Sequence, residues 1–350
     1  MVQELSATIL YKKTLGCLLG GLIGDAMGTP AEGKDYRDID KQLGWIDDFN
    51  SDGTDDTVMK NLLAEALIRT KGYATLDDWA KVWLEVYEET FGRKGKKVGK
   101  FFMSVLHTAN KINRHSTPRM AALGNMPSSS SAMCISPVGI VNACNPRQAA
   151  QQAYIVASLI HIHDVAYCQD GAAAMAAAVA EAFSPAASVD SIIAAASNYI
   201  LEVSGKEILD RIEKTVAFAK AKKGFKDFRA AVYEDAAYYL KRITCDSRET
   251  VPLTLALFYL ADGDPEKCVI YGSNFGRDAD TIASMCGAIG GAFRGVDGFR
   301  KQWSAKAYQN TDVDQSALAE KLAAAAVEKF KAEHELSLMF ESVNRLEGAK

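Results

Sequence analysis

The chain has 350 residues, 48% hydrophobic and 24% charged, an ordinary globular composition that argues against extensive disorder. Its formal net charge of -4 leaves no global basic field to attract nucleic acid. Seven cysteines without a CxxC pair fit reduced thiols in a cytoplasm better than a disulfide framework or a zinc site.

The first residues, MVQELSATILYKKT, carry charges where a signal peptide needs an apolar run, so secretion is not expected. The apolar stretch that follows is Gly-rich, interrupted by Asp25 and too short to span a bilayer. A soluble, cytoplasmic protein with no membrane or nucleic-acid partner is expected. In GCLLGGLIGDAMGTPAEG, Gly16, Gly20, Gly24 and Gly28 recur every four residues and line one helix face with glycine, as a close-packed buried helix requires. The pattern is not GxGxxG and no strand precedes it, so a dinucleotide fold is unsupported. Asp25 sits inside this apolar helix and Glu32 just after its Pro-containing end. A buried carboxylate needs a partner, which a metal or a catalytic role would supply.

Next comes SDGTDDTVMK, where Asp52, Asp55 and Asp56 precede an apolar run. Two readings fit. Ser51, Thr54 or Asp55 could cap a helix whose first turn favours carboxylates, or the oxygens could hold a cation that relieves their repulsion.

Helical periodicity dominates the remainder: Val58–Thr70, Asp78–Glu89, Arg147–His161, Ala172–Phe183, Val189–Val203, Glu207–Lys222, Phe225–Lys241, Val251–Leu260, Pro265–Phe275 and Ser316–Leu346. Alternating β-branched runs are nearly absent, which predicts an all-α fold. Breakers fall at Gly92–Gly99, Gly124–Ser136, Ser184–Ala187 and Thr244–Thr250. The basic loop Arg93–Lys100 reads as a solvated turn. No long linker, composition shift or internal repeat divides the chain, so one domain over 1–350 is expected, with the last helix appended for packing or dimerisation. His161, His163 and Asp164 read as helical neighbours without a third partner at metal spacing, and the cysteines as buried thiols.

A second oxygen-rich helix start stands in SNFGRDADTIASMCGAIGGAF, where Asp278, Asp280 and Thr281 open an otherwise apolar helix. It too fits either a cap or a site. Carboxylates and threonine hydroxyls with no His or Cys nearby match Mg²⁺, Mn²⁺ or Ca²⁺ and not zinc. Were the two clusters to meet, they could build a two-metal site.

Together these stretches resemble the ADP-ribosylglycohydrolase family. The family's GDAxGxPxE pattern stands as Gly24 to Glu32, its TDDT motif as Thr54 to Thr57, and its DxDT motif as Asp278 to Thr281, followed by Gly287 to Ala292. The loop GNMPSSSSAMCISPVGI is similar to the family's middle loop, and His161 falls where a Thr-His segment usually sits. The likeness runs from about residue 12 to about residue 300.

The resemblance implies a compact orthogonal helical bundle with two Mg²⁺ (or Mn²⁺) ions in a central cleft. Carried over position by position, Thr54, Asp55, Asp56, Asp278, Asp280 and Thr281 would be the metal ligands. Glu32 would be the acid that gates or assists catalysis, with Asp55 beside it. Asp25, Ser128, Ser129, Ser130, Met133, His161 and Arg277 would face the substrate. The implied reaction is hydrolysis at the ribose anomeric carbon of an ADP-ribosylated small molecule or protein side chain.

Three departures bear on the substrate. Pro127–Ser131 are extra residues in the middle loop, and Cys134 stands where the family has arginine. Ile160 replaces the threonine before His161. Arg277 replaces a glycine and could bind a phosphate or carboxylate, or pair with a nearby acid. A smaller N-riboside or ribosyl phosphate therefore remains an alternative substrate, as does a catalytically silent binding or regulatory role.

Overall fold

A computed structural model describes residues 5–345. The expected domain limits at 1 and 350, and the end of the last helix at Leu346, lie outside the described residues. Among those described, the secondary structure is helical throughout, without a strand. In chain order the helices are α1 (Ile9–Gly28), α2 (Tyr36–Gln42), α3 (Asp55–Arg69), α4 (Leu76–Glu85), α5 (Tyr87–Thr90), α6 (Met103–Asn113) and α7 (Pro118–Ala121). There follow α8 (Ser130–Met133), α9 (Ser136–Val141), α10 (Pro146–Ala157), α11 (Tyr167–Ala182), α12 (Val189–Asn198), α13 (Glu202–Lys220), α14 (Phe225–Glu234) and α15 (Ala236–Tyr239). The chain closes with α16 (Ser247–Leu260), α17 (Pro265–Phe275), α18 (Ala279–Arg294), α19 (Lys301–Asn310) and α20 (Gln315–Val343).

The fold is organised around α1 and α18, both almost wholly buried. The four-residue glycine repeat sets their register. A methyl group placed on Gly16 would lie 2.5 Å from the Gly291 carbonyl oxygen, and one on Gly20 would lie 2.1 Å from that of Gly287. On Gly24 it would lie 2.2 Å from the Ala283 oxygen, and on Gly28 it would lie 2.4 Å from the Asp280 Cα. The helices thus run antiparallel with their backbones in contact, which only glycine permits. This register sets the end of α1, with Asp25, beside the start of α18, with Asp280. Alanine-rich α11 packs between α10 and α18.

Several elements differ from the periodicity. The stretch Arg147–His161 is helical only to Ala157. Residues 158–160 form a turn, held where the Asn125 side chain donates to the Ile160 carbonyl at 2.8 Å. His161 is therefore outside the helix. The run Val189–Val203 breaks after Asn198, because the Leu201 amide bonds the Tyr154 hydroxyl and starts α13. Two expected breakers contain helix: α8 lies within Gly124–Ser136, and α16 begins at Ser247, capped by Asp246. Among the described residues, no helix is long and apolar enough to cross a membrane.

Candidate active site

Three segments meet at one end of the α1–α18 pair. Thr54 stands at the N-cap position of α3, yet its side chain does not cap that helix. Its hydroxyl lies 2.9 Å from Asp25 Oδ1 and 3.3 Å from Asp280 Oδ2. Asp278 holds the corresponding position of α18, also without capping it, and accepts from the Ser129 hydroxyl at 3.1 Å. The Thr281 hydroxyl donates to Asp56 Oδ2 at 3.3 Å. Both helix starts point their oxygens at each other, and the capping reading fails for both.

Around this meeting point lies a cavity of about 200 Å³ lined by Glu32, Asp55, Asp56, Asp278, Asp280 and Thr281, and also by Ser129, Ser130 and Met133, with Ser129 bonded to Asp278. Asp55, Asp56, Asp278 and Asp280 are all buried. Burial and mutual repulsion raise the affinity of these carboxyls for protons. Asp55 is pushed up to about 8, chiefly by burial and then by Asp25. Asp278 rises to about 7, chiefly by burial, against the Ser129 hydrogen bond. Asp56 and Asp280 rise well above the carboxylate range, by burial first and then by the neighbouring acids.

The donor set fits a hard cation. Asp56 Oδ1 and Asp280 Oδ1 are buried and have no hydrogen-bond partner, a costly condition that a divalent ion would remedy. The side chains form two Thr–Asp pairs across the cleft, not a closed shell. Among the described residues no three Asp, Glu, His or Cys side chains enclose a metal position as they stand. Carboxylate rotamers adjust readily to a bound ion, and Asp56 and Asp280 bring their unpartnered oxygens to one cleft, whereas the unpartnered Asp170 Oδ2 lies outside it.

Four residues expected to face the substrate sit elsewhere. Asp25 is fully buried beneath the cleft. Its carboxylate accepts from the Thr54 amide and hydroxyl and from the Thr57 amide and hydroxyl, at 2.6 to 3.0 Å. It fixes the turn that enters α3 and is shielded from any ligand. Ser128 is likewise buried, bonded to Ser104, Ser130 and His161. The His161 imidazole lies between Ser131 Oγ at 2.7 Å and Ser128 Oγ at 3.0 Å. Burial depresses it to about 3, so it is neutral and supports the serine loop from behind. Arg277 makes a bidentate pair with Glu249, at 2.7 and 2.8 Å, and stays off the cleft wall. Its left-handed backbone (φ 62°) bonds Gly33 and Lys34, tying the Glu32 loop to the entry of α18. Met133, Ser129 and Ser130 do reach the cleft.

Residues that the motifs do not reveal complete the wall: Lys100, Phe102, Thr244 and Cys245. The Phe102 amide approaches Asp55 Oδ2 at 3.3 Å, and the Lys100 ammonium lies 3.9 Å from Glu32 Oε2. Lys97 donates to the carbonyls of Asp52 and Gly53 at 2.8 and 3.0 Å. The basic loop is thus largely solvated as expected, with Arg93, Lys94, Lys96, Gly99 and Lys100 exposed, but Lys97 ties it to the turn before Thr54. Its only advance signal was the density of Gly and Lys in GRKGKKVGKFF. Cys245 is a partly exposed thiol whose proton is held by burial. Cys144 is exposed, contrary to the buried setting expected of every thiol. His163 and Asp164 are exposed and take no part in the cleft. Beneath the site, the fully buried Lys60 donates to the Leu18 carbonyl at 2.7 Å, and burial lowers its pKa to about 8.

Comparison with known proteins gives a consistent result. The family model described as ADP-ribosylglycohydrolase matches residues 6–332. YegU of Escherichia coli (strain K12) is 28% identical over 82% of this chain and 89% of its own length. ADP-ribosylhydrolase ARH3 of Bos taurus is 25% identical over 85% of this chain and 90% of its own. A solved structure titled "ADP-ribosylglycohydrolase-related protein complex" superposes with a TM-score of 0.67, at 19% identity, over 91% of this chain and 99% of that one. This last likeness concerns the fold.

Proposed function

The chain belongs to the ADP-ribosylglycohydrolase family and is a hydrolase of the glycosidase type, and from that premise we propose that it cleaves the bond between ribose and its acceptor in an ADP-ribosylated molecule, with Mg²⁺ or Mn²⁺ bound in the acidic cleft. The observation that carries this reading is the meeting of Thr54, Asp55 and Asp56 with Asp278, Asp280 and Thr281 around two buried, unpartnered carboxylate oxygens.

Those six residues would hold two ions, which on binding would supply positive charge to ribose hydroxyls and lower the pKa of a nearby water. The chain's own groups do the rest. Ser129, Ser130 and Met133 line the cleft beside the acids, where they can help orient the sugar. Asp55, at the first turn of α3 and touching the Phe102 amide, is placed to accept a proton from the attacking water. Glu32 stands at the cleft mouth, half-exposed, where it can pass a proton to the departing acceptor or admit and exclude water. Asp25 and His161 do not touch substrate under this reading. They hold the turn and the serine loop whose side chains do.

The small volume of the cleft supports a ribosyl unit as the part held within it, the remainder of the substrate extending past Glu32. Release of ADP-ribose from ADP-ribosyl-arginine and ADP-ribosyl-serine, beside hydrolysis of a panel of free ribosides, with added Mg²⁺ or Mn²⁺ and with chelator, tests the reading. Turnover of an ADP-ribosyl substrate that chelator abolishes is the expected result. Turnover of free ribosides alone would move the substrate to the smaller class, and no turnover by a chain that takes up metal would favour a silent binding role. The proposal includes a homodimer through α20, whose apolar stripe continues beyond the body of the fold.

A further inference from the structure

The cleft is strongly acidic, whereas the substrate proposed for it carries phosphates. Asp55, Asp56, Asp278, Asp280 and Glu32 all line it, and the arginine that sequence pointed to as the anion partner is held by Glu249. Among the described residues lining the cavity, Lys100 is the one cation.

Three observations fit Lys100 to this task. First, its side chain is 49% exposed and that of Glu32 is 43% exposed, while the carboxylates of the inner wall are buried. The two residues therefore mark the mouth, through which any part of a ligand too large for about 200 Å³ must pass. Second, the loop is anchored. Lys97 grips two carbonyls of the turn that leads to Thr54, Phe101 is buried against Phe91, and the Phe102 amide meets Asp55. An ammonium group carried on a fixed loop loses less freedom on binding a ligand than one on a free turn. Third, the contact with Glu32 is loose, at 3.9 Å between half-exposed groups. Such a pair contributes little, so a phosphate can take the lysine from it.

We propose that Lys100 is the anion-binding residue of this cleft: it receives a phosphate of the substrate beyond the ribose and, in leaving Glu32, frees that carboxylate at the mouth. The inference rests on the cleft being a ribosyl site. It makes Lys100 a specificity residue, selecting ribosyl compounds that carry a phosphate over those that do not, and it couples the arrival of the correct substrate to the release of Glu32.

The test uses the full chain with Mg²⁺ and the variants Lys100→Ala, Lys100→Arg and Glu32→Gln. Calorimetry with ADP-ribose and with ribose reads binding, and steady-state kinetics on ADP-ribosyl-serine or ADP-ribosyl-arginine reads KM and kcat separately. Lys100→Ala is expected to weaken ADP-ribose by about tenfold, the effect of losing one charge-assisted contact, with ribose unchanged. Lys100→Arg should recover most of the loss, and Glu32→Gln should tighten ADP-ribose, since the competing carboxylate is gone. The rise for Lys100→Ala should appear in KM more than in kcat and shrink at high salt. ADP-ribose binding equal to wild type in Lys100→Ala, or a matching loss for ribose, overturns the proposal. So does a wild-type chain that binds no ADP-ribose. A chain that binds ADP-ribose through Lys100 yet hydrolyses no ADP-ribosyl substrate would instead sink the hydrolase reading and leave this one standing.

Discussion

The Thr54 hydroxyl lies 3.3 Å from Asp280 Oδ2, joining two positions 226 residues apart at the starts of α3 and α18. Neither helix start uses its leading side chain to cap itself. A contact of that range is a product of tertiary packing, and its cost is evident in the carboxyls around it, which burial and repulsion drive toward their protonated forms. The cluster destabilises the metal-free fold and is stabilised by whatever compensates its charge.

Asp280→Asn follows directly. Removing one charge relieves the repulsion, so the metal-free variant should melt at or above the temperature of the metal-free native chain. Its shift on adding Mg²⁺ or Mn²⁺ should be lost, together with turnover. Asp55→Ala should behave alike. Thermal melts with and without metal provide the measurement. A variant that keeps the full metal-induced shift and full turnover would remove Asp280 from the ligand set.

Gly24→Ala tests the scaffold beneath the site. Its methyl group would lie 2.2 Å from the Ala283 carbonyl oxygen and 2.6 Å from the Ser284 nitrogen, both backbone atoms with no freedom to yield. The α1–α18 contact must open, at a cost of about 1–3 kcal/mol. Because Asp25 and Asp280 belong to these two helices, metal affinity should fall along with the melting temperature. Unchanged affinity in a destabilised variant would show that the site tolerates a shifted register.

How far these features were legible follows from the kind of signal each left. The glycine repeat of α1 and the paired acidic starts of α3 and α18 are local patterns, and both survive in the structure. The all-α fold was legible for the same reason: 3.6-residue periodicity persists along the chain. Lys100 and Cys245 were not legible as wall residues, because their place depends on where loops land after packing. The partners of Asp25, and which of the two open readings held for Arg277, depend on packing in the same way. An acid in an apolar helix and an arginine beside a DxDT motif look like site residues until their partners, Thr54 with Thr57 and Glu249, are in view. His161 lay in a continuous helical pattern that the Asn125–Ile160 bond interrupts.

His161 also predicts a pH dependence. Burial holds the folded imidazole to about 3, below its ordinary 6.5, so the native chain binds fewer protons than the unfolded chain between those values. Its contribution is fully present above pH 6.5 and is lost as pH falls toward 3, with a slope up to about 1.4 kcal/mol per pH unit. The raised carboxyls of the cleft act in the opposite sense, gaining protons in the native state, and Asp246 favours the charged imidazole. The comparison is therefore between the native chain and His161→Gln, which keeps those groups. Urea midpoints at pH 7, 5.5 and 4.5 should fall less steeply in the variant. Parallel curves would mean that the imidazole is not a buried neutral group.

The last prediction concerns α20. Its buried face, through Leu318, Leu322, Ala326 and Lys329, continues in helical phase into Leu336, Phe340 and Val343, which are exposed. The family match ends at residue 332, and every described residue from Glu333 on is exposed. Truncation after Ala332 removes, among the described residues, only exposed ones and no group of the cleft, the losses being the charge of Glu333 near Lys329 and the stacking of His334 on the exposed Phe330. It should change the melting temperature by no more than about 2 °C and leave metal uptake and turnover intact. An apolar stripe left without a partner is the surface through which a second copy would associate. Sedimentation should find the full chain self-associated and the truncated chain monomeric. A full chain that stays monomeric across concentration sinks the dimer, and a large drop in melting temperature on truncation would show that these turns pack against their own fold.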